Sequence, residues 1–507
     1  MKTIINFIKK NRNIILLIIS FVFLTMLILG MTYAYFDLKT GGETESTMNI
    51  GGAEISATYA YSNSINITDA LPGNDVIAYK DITLTYKNTS SEEYKVYLKT
   101  VIDYSTFTNT ENDGVLYYDI YSGTDHSTLV QNQTIFPTIT YGKAILKELT
   151  IPAKSSGTLS YRINFYFPES DKLQNPDGQL VLNASISVES DNSLKYTPTL
   201  LKKIDLMYQY ESETNGLEQD DTSEENIRYV GANPNNYVYF GNDNELWRII
   251  GVFNIKDSTG KIERKIKLVR DESLGAFSWD AKLNGDLYWG INDWTEADLK
   301  NELNGDYLNT TLDSNRNNWY NSYWDSSTNK PVFRQTGVFD YTKVIKNNYQ
   351  NMISESVWNI GGNSYSNPNT PPYGLPLLDQ YNKERGTITY QNNRPTEWTG
   401  KVGLIYASDY GYASTLAECH ENLRAGVTYD YSNGKCKTDN WLAKSSWYWT
   451  LSPYSGYSAS VFYVDGDGAV GDSYACNPLE VFPAVFLKSD ILIASGTGEK
   501  ESPYRLG

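Results

Sequence analysis

Residues able to carry acid–base, nucleophilic or metal chemistry are scarce in this chain of 507 residues. Histidine occurs twice, as His126 and His420, and cysteine three times, as Cys419, Cys436 and Cys476. Zinc sites draw on several such residues at short spacings, and no Cys-x-x-Cys pair exists. A Ser–His–Asp triad would have to use one of the two histidines, and neither sits near a nucleophile motif. No Rossmann or P-loop glycine pattern is present. We therefore expect no catalytic residue, no metal site and no cofactor. The net charge of −17 argues against nucleic acid, which is held by clustered Lys and Arg.

Tyrosine, by contrast, is abundant, with 42 residues beside 11 Trp. The densest aromatic stretch surrounds "WTLSPYSGYSASVFYVDGDGAV", Trp449 to Val470. Trp447, Tyr448, Tyr454, Tyr457 and Tyr463, interspersed with Ser455, Ser458 and Ser460, have the composition of a binding surface. Tyr offers a large contact area at low entropic cost, and Ser and Gly adapt around it. We take these five aromatics, with Asp465 and Asp467, as candidate ligand contacts, and expect Trp449 in the core. The Asp465–Gly468 sequence DGDG invites comparison with an EF-hand loop. That loop needs an oxygen ligand at position 5, Gly at 6 and Glu at 12, where this chain has Ala469, Val470 and Cys476. Apolar runs on either side predict a hairpin turn instead, with Gly supplying positive φ.

These residues need elements to hold them. The length suggests several domains. Lys2, Lys9, Lys10 and Arg12 precede an apolar run from Ile14 to Met31, followed by Thr32-Tyr33-Ala34. Residues 1–34 therefore read as a signal peptide cleaved after Ala34 or as an uncleaved membrane anchor. Either way the rest of the chain is expected outside the cell or on its surface, touching the membrane only through this segment.

Residues 37–192 read as all-β. Leu159, Tyr161, Ile163, Phe165 and Phe167 alternate with polar neighbours, as do Leu180, Leu182, Ala184, Ile186 and Val188 after a Pro176-Asp177-Gly178 turn. Ile82, Leu84 and Tyr86, then Tyr94, Val96 and Leu98, alternate on either side of an Asn88–Glu93 turn. Period two means one buried face and one wet face, and several short strands of this kind suggest a sandwich. Residues 193–226 read as a connector. A short helix is expected over Thr199–Gln209, and the acidic stretch Glu211–Asn226 is expected to be mobile or solvated for want of apolar residues.

The second globular unit is expected over residues 227–507. Tyr237–Phe240 and Leu246–Phe253 read as strands around a Gly241–Asn244 turn, followed by a strand in "KIERKIKLVRD". "NDWTEADLKNELNG" predicts a helix capped by Thr295, stapled by Trp294 and Leu299, and stopped by an αL Gly305. A second helix is expected near Lys346–Trp358.

The export segment ending "TYAYF", the "LPGND" turn and the β pattern over roughly residues 10–190 resemble camelysin/TasA-type secreted proteins of Gram-positive bacteria. That resemblance implies a jelly-roll-like β-sandwich and, for some members, matrix fibres. From residue 227 onward, "IRYVGANPNNYVYFGNDNELWRIIGVF", "TGKVGLIYASDYGYAS", "NWLAKSSWYWTLSP" and "FPAVFLKSDILIASGTGEKESPYRL" resemble secreted Firmicutes-type domains of C-type-lectin-like fold, in its formylglycine-generating-enzyme variant. One departure is Phe482, where that group has Arg before the Pro of the final motif. The enzyme branch relies on cysteine chemistry. In an exported protein, Cys419 and Cys436 around a Gly-, Tyr- and Asn-containing loop are expected as a structural disulfide. Cys476 is expected as a buried apolar residue or a stray thiol, and His420 as a lone imidazole without partners.

The sequence thus predicts a mainly β protein. An N-terminal β-sandwich and an α+β, C-type-lectin-like C-terminal domain follow a signal or transmembrane helix. The expected function is non-catalytic adhesion or recognition at the cell surface or in the matrix, with an extracellular protein or glycan as partner. The alternative is a matrix fibre subunit that self-associates through the sandwich. A formylglycine-generating-enzyme-like oxidase is the third reading.

Overall fold

The computed structural model describes residues 44–50, 53–60, 62–73, 75–107, 115–137, 142–169, 180–194, 196–311, 319–365, 374–386, 394–424 and 435–507. The expected signal or anchor segment 1–34 and the Pro176–Gly178 turn lie outside these residues. Among the described residues no helix is long and apolar enough to cross a membrane. The chain forms two compact units, Met1–Tyr196 and Thr197–Gly507, and the described part is mainly β.

The first unit contains strands β1 (Thr44–Ile50), β2 (Ala53–Tyr59), β3 (Ser64–Ala70), β4 (Val76–Asn88), β5 (Tyr94–Ser105), β6 (Tyr117–Ser122), β7 (Thr128–Ile135), β8 (Gly142–Ile151), β9 (Ser155–Tyr166) and β10 (Leu180–Glu189). They pair as a six-stranded sheet, β1-β2-β4-β9-β6-β7, and a four-stranded sheet, β3-β10-β5-β8. The expected alternation holds. In β10 every second residue from Leu180 to Val188 is buried, and in β9 Tyr161, Ile163 and Phe165 are buried. β4 and β9 run antiparallel with Leu84 opposite Leu159 and Ile82 opposite Tyr161, which places the apolar sets of both strands on one face. Both sheets contribute to one apolar cluster, including Ile55, Leu84 and Phe165 from the first and Ile67, Leu98 and Ile186 from the second. Asn88 closes the β4–β5 turn, donating from Nδ2 to the Glu92 and Pro152 carbonyls.

The second unit begins earlier than the sequence suggests. The helix Leu200–Asn215 is capped by the Thr199 side chain and runs beyond the expected Gln209. Its Leu200, Ile204 and Met207 lie in the core at helical spacing. The acidic stretch after it is folded, which corrects the expected solvated linker. Leu217–Gln219 (β11) pairs with Ile227–Tyr229 (β12), and the Thr222 and Asn226 side chains are buried. Asp220 organises the turn: its carboxylate accepts from the Thr222 hydroxyl, the Asn226 amide groups and Arg228 Nε. Composition hides this, because polar residues can be buried when they satisfy one another.

The remaining strands are β13 (Tyr237–Tyr239), β14 (Leu246–Lys256), β15 (Ile262–Arg270), β16 (Ala276–Ser278), β17 (Tyr320–Asp325), β18 (Lys330–Thr336), β19 (Ser356–Asn359), β20 (Glu397–Gly400), β21 (Val402–Leu404), β22 (Tyr448–Pro453), β23 (Ser460–Val464), β24 (Val470–Tyr474), β25 (Pro478–Glu480), β26 (Pro483–Phe486), β27 (Ile493–Ser495) and β28 (Tyr504–Leu506). The largest sheet has nine strands, with β21-β26-β15-β14-β13-β28-β27 in order and β12 pairing β14. A five-stranded sheet, β16-β25-β22-β23-β24, carries the stretch around Trp449.

Three local expectations are corrected. The helix at "DLKNELN" spans Asp298–Asn304 with Ala297 at its N-cap, while the Thr295 hydroxyl is taken by Asp293. Asp298 instead accepts from the Ala281 amide, so tertiary contact displaces the local cap. Gly305 is not αL, with φ −108°. Of the helix expected over Lys346–Trp358, only Asn347–Gln350 is helical, and Ser356–Asn359 pairs as a strand with β20.

Candidate functional site

β23 and β24 form a hairpin, with Val464 opposite Val470, and DGDG is its turn. Asp465 Oδ1 accepts from the Asp467 and Ala469 backbone amides, and Gly468 has φ +90°. The Asp465 carboxylate is thus engaged by the turn itself, as in an Asx-turn. Among the described residues no group of three His, Cys, Asp or Glu side chains is placed to hold a metal ion.

The predicted aromatics divide by position. Tyr448 is corrected from surface to core: it is 2% exposed, packs edge-on against Phe482, and donates its hydroxyl to the Leu442 carbonyl. Trp449 is fully buried as expected, with Nε1 donating to the Phe277 carbonyl. All six residues of β22 are buried, so both its faces are covered and adjacent side chains both go inward. Trp447, just before this strand, is 53% exposed. Its ring lies 5.1 Å from that of Tyr463, which is half-buried. A Cβ at Gly471 would come within 2.9 Å of the Tyr463 ring, so glycine on the neighbouring strand lets the ring lie close. Tyr454 is half-buried against Tyr365 and Phe462. Tyr457 is 43% exposed.

Tyr457 begins a run that the sequence reading missed. Its ring is 5.7 Å from Tyr474, Tyr474 is 4.3 Å from Trp289, and Trp289 is 5.8 Å from Trp324. Four partly exposed rings from four segments thus form one continuous aromatic surface. Nearby on β17 and β18, Tyr323 and Phe333 stack at 4.6 Å and both are exposed. The loop carrying Tyr454 and Tyr457 is pinned by the buried Asn292. Asn292 Nδ2 reaches the carbonyls of Tyr454, Tyr457 and Ser460 at 2.8–3.0 Å, and its backbone amide donates to Ser458. Burial holds the phenols of Tyr454, Tyr463 and Tyr474 above the ordinary tyrosine value, so these rings present neutral hydroxyls.

Cys419 and Cys436 are disulfide-bonded. Cys476 is buried and free, and burial pushes its thiol up to about 12, which suppresses the thiolate needed for nucleophilic chemistry. His420 has a partner after all: its Nε2 lies 2.9 Å from the Ser414 carbonyl.

Sequence reading also gave no sign of a buried charge network. Asp409, fully buried, pairs with Lys267 at 2.6 Å and with Arg228 at 3.0 Å, and Arg228 also pairs with Asp220 at 2.6 Å. Burial alone would raise the Asp409 carboxyl, but Lys267 and Arg228 outweigh it and hold it at about 2. Burial brings Lys267 down to about 8. Glu384, also fully buried, accepts from Ser452, Gln380 and Ser408. The charged side chains of these groups are paired by protein partners, with Arg228 Nη2 left without an acceptor among the described residues, the pattern of a structural core.

Compared with known proteins, the chain matches no family model and no curated protein.

Proposed function

We propose that the chain is an exported surface or matrix protein whose second unit is a non-catalytic recognition domain, binding an extracellular protein or glycan through its aromatic surface. One observation carries this reading: Trp447 and Tyr457 stand outward, and Tyr457 continues into Tyr474, Trp289 and Trp324 as a contiguous run of accessible rings. Flat amphipathic rings packed against one another lose little entropy on contact, which suits recognition. Export rests on the basic and apolar N-terminal segment. In this reading the first unit is a jelly-roll-like β-sandwich, supported by two sheets sharing one apolar cluster. The second is C-type-lectin-like, supported by the quoted sequence likeness. The test is a protein-and-glycan array probed with the chain and with a Trp447→Ala/Tyr457→Ala/Tyr474→Ala variant. Loss of signal in the variant is expected, and equal signal from both would remove the face.

The fibre reading has its own support. Among the described residues β7 pairs only with β6, and Leu129, Val130 and Ile135 on it are exposed. An open apolar edge strand is a place where another strand can add. Regular fibres in electron micrographs of the purified protein would favour this reading, and dispersed particles the first.

A further inference from the structure

The first unit holds a cleft of about 420 Å³, within the size range of small-ligand sites. It is lined by Gly73, Tyr117, Asp119, Gln133, Tyr166 and Pro168. Strand geometry turns three of these the same way. Tyr118 and Ile120 of β6, and Ile163 and Phe165 of β9, enter the apolar cluster. Alternation then places Tyr117 and Asp119 of β6 and Tyr166 of β9 on the opposite face, with Tyr117 directly across from Tyr166. Side chains on that face would ordinarily be wet, yet Asp119 is only 6% exposed. Asn132 and Gln133 of β7 both lie across from it, a bulge that brings the Gln133 backbone amide to Asp119 Oδ1 at 2.6 Å. Asp119 Oδ2 takes no hydrogen bond among the described residues and is reached by solvent. Burial raises the Tyr166 phenol above its ordinary value, and the Asp119 charge adds to the rise, so carboxylate and phenol lie close.

This carboxylate has no cation of its own among the described residues. Further along the same face, Arg162 is taken up by Asp81, which accepts from both its Nε and its Nη2. A buried carboxylate without a cation is costly, so the cleft favours a ligand that brings positive charge. An anion is repelled. A neutral sugar can offer hydroxyls to Oδ2 but leaves the charge uncompensated. A metal ion lacks the necessary cluster of ligands among the described residues. A protonated primary amine supplies the charge together with three N–H donors. Tyrosine rings suit it as neighbours, because their faces attract cations.

We propose that this cleft binds a primary ammonium group on an alkyl stem, the chemistry shared by a lysine side chain and a free alkylamine. Asp119 Oδ2 accepts from the ammonium, and the Tyr117 hydroxyl and the Gln133 side-chain carbonyl take its other N–H groups. The stem lies against Tyr166 and Pro168. Charge-assisted hydrogen bonds of this kind are the strong ones, and they make the site selective for the charged amine. The inference concerns the first unit and the adhesive reading concerns the second, so either can fail alone.

The test is calorimetric titration of the full chain with butylamine, with Nα-acetyl-lysinamide, with the same amide acetylated on Nε, and with glucose. Saturable binding is expected for the first two, and at least tenfold weaker binding for the other two. Tighter binding of the lysinamide identifies a lysine side chain as ligand, and tighter binding of butylamine a free amine. Asp119→Asn keeps an acceptor for the Gln133 amide and removes the charge. It should weaken amine binding at least tenfold with an unchanged melting temperature. A Cβ at Gly73 would meet no atom within 4 Å, so Gly73→Phe can narrow the cleft without strain and should weaken binding equally. If Asp119→Asn misfolds, Gly73→Phe decides. Absence of saturable binding to both amines at millimolar concentration would overturn the proposal. So would glucose binding as tight as that of the amines, or amine binding indifferent to Nε-acetylation or to the substitutions.

Discussion

The two units hide their polar groups differently. In the first, the one lysine with a fully buried side chain among the described residues, Lys99, reaches Glu189 and Asp191, whose side chains are 25% and 66% exposed. Its charge pair therefore opens to water. In the second unit, Lys267, Asp409, Arg228 and Asp220 pair with side chains 0–2% exposed at both ends. The first unit is organised by alternation along strands. The second is organised by side chains from distant segments that satisfy one another. A sheet with one apolar face needs little besides its pattern, whereas a unit of short strands and long connections needs polar cross-links to fix where those connections run.

The contrast can be broken most forcefully at Asp409. Asp409→Asn leaves Lys267 and Arg228 buried without their carboxylate and should cost about 3–5 kcal/mol. Tryptophan fluorescence is the fitting readout, because all 11 Trp lie in the second unit. The folded Asp409 carboxyl, at about 2, lies below its ordinary value of 3.8. Its stabilising contribution is therefore in place above about pH 4 and is lost as pH falls through about 2. Acid unfolding followed by tryptophan fluorescence should lose that step in Asp409→Asn. An unchanged acid profile would mean that the pair does not stabilise the fold.

In the first unit, a comparable loss should come from apolar deletion. Ile186→Ala should cost about 2–5 kcal/mol, read from chemical denaturation followed by circular dichroism. A cost below ~1 kcal/mol would mean that the alternating face is not a packed core. Next in size, Cys419→Ser/Cys436→Ser should cost about 3 kcal/mol by opening the loop between the two cysteines. Ellman titration of the unfolded, unreduced wild-type chain should find a single thiol, that of Cys476. Asn292→Ala removes the donor shared by the Tyr454, Tyr457 and Ser460 carbonyls and should cost about 1–3 kcal/mol. Amide exchange over residues 454–460 should quicken, and unaltered exchange would show that the loop is held by other contacts. Smallest of all, Trp447→Ala should change stability by no more than ~0.5 kcal/mol, since the ring is half exposed. A large loss there would mark Trp447 as structural, against a role in recognition.

The legibility of each unit follows from the same contrast. Ile163, Phe165, Leu182 and Ile186 are readable because each strand carries its own period-two pattern, independent of what it pairs with. The DGDG turn and the strands around Gly241–Asn244 are readable for the same reason, since their signals are local. Asp220 and Asn226 were misread because an acidic run resembles a solvated one until Arg228 is placed against it. Tyr448 was misread because composition cannot say which ring of a Tyr-rich stretch lies on a strand covered on both faces. Trp289, Trp324 and Tyr474 were missed because they are spread over segments that meet only in space.

The amino-acid sequence by itself determined the β character of the first unit, the hairpin at Asp465–Gly468 and the poverty of sulfur and imidazole. These follow from residue type and near-neighbour spacing. Tertiary structure alone decided that residues 211–226 fold, that Tyr448 turns inward, and that Asp409 sits between Lys267 and Arg228. It also decided that Tyr457 joins a run of rings reaching Trp324. Each of these depends on a three-dimensional arrangement of side chains, some near in the chain and some hundreds of positions apart, that no local pattern encodes.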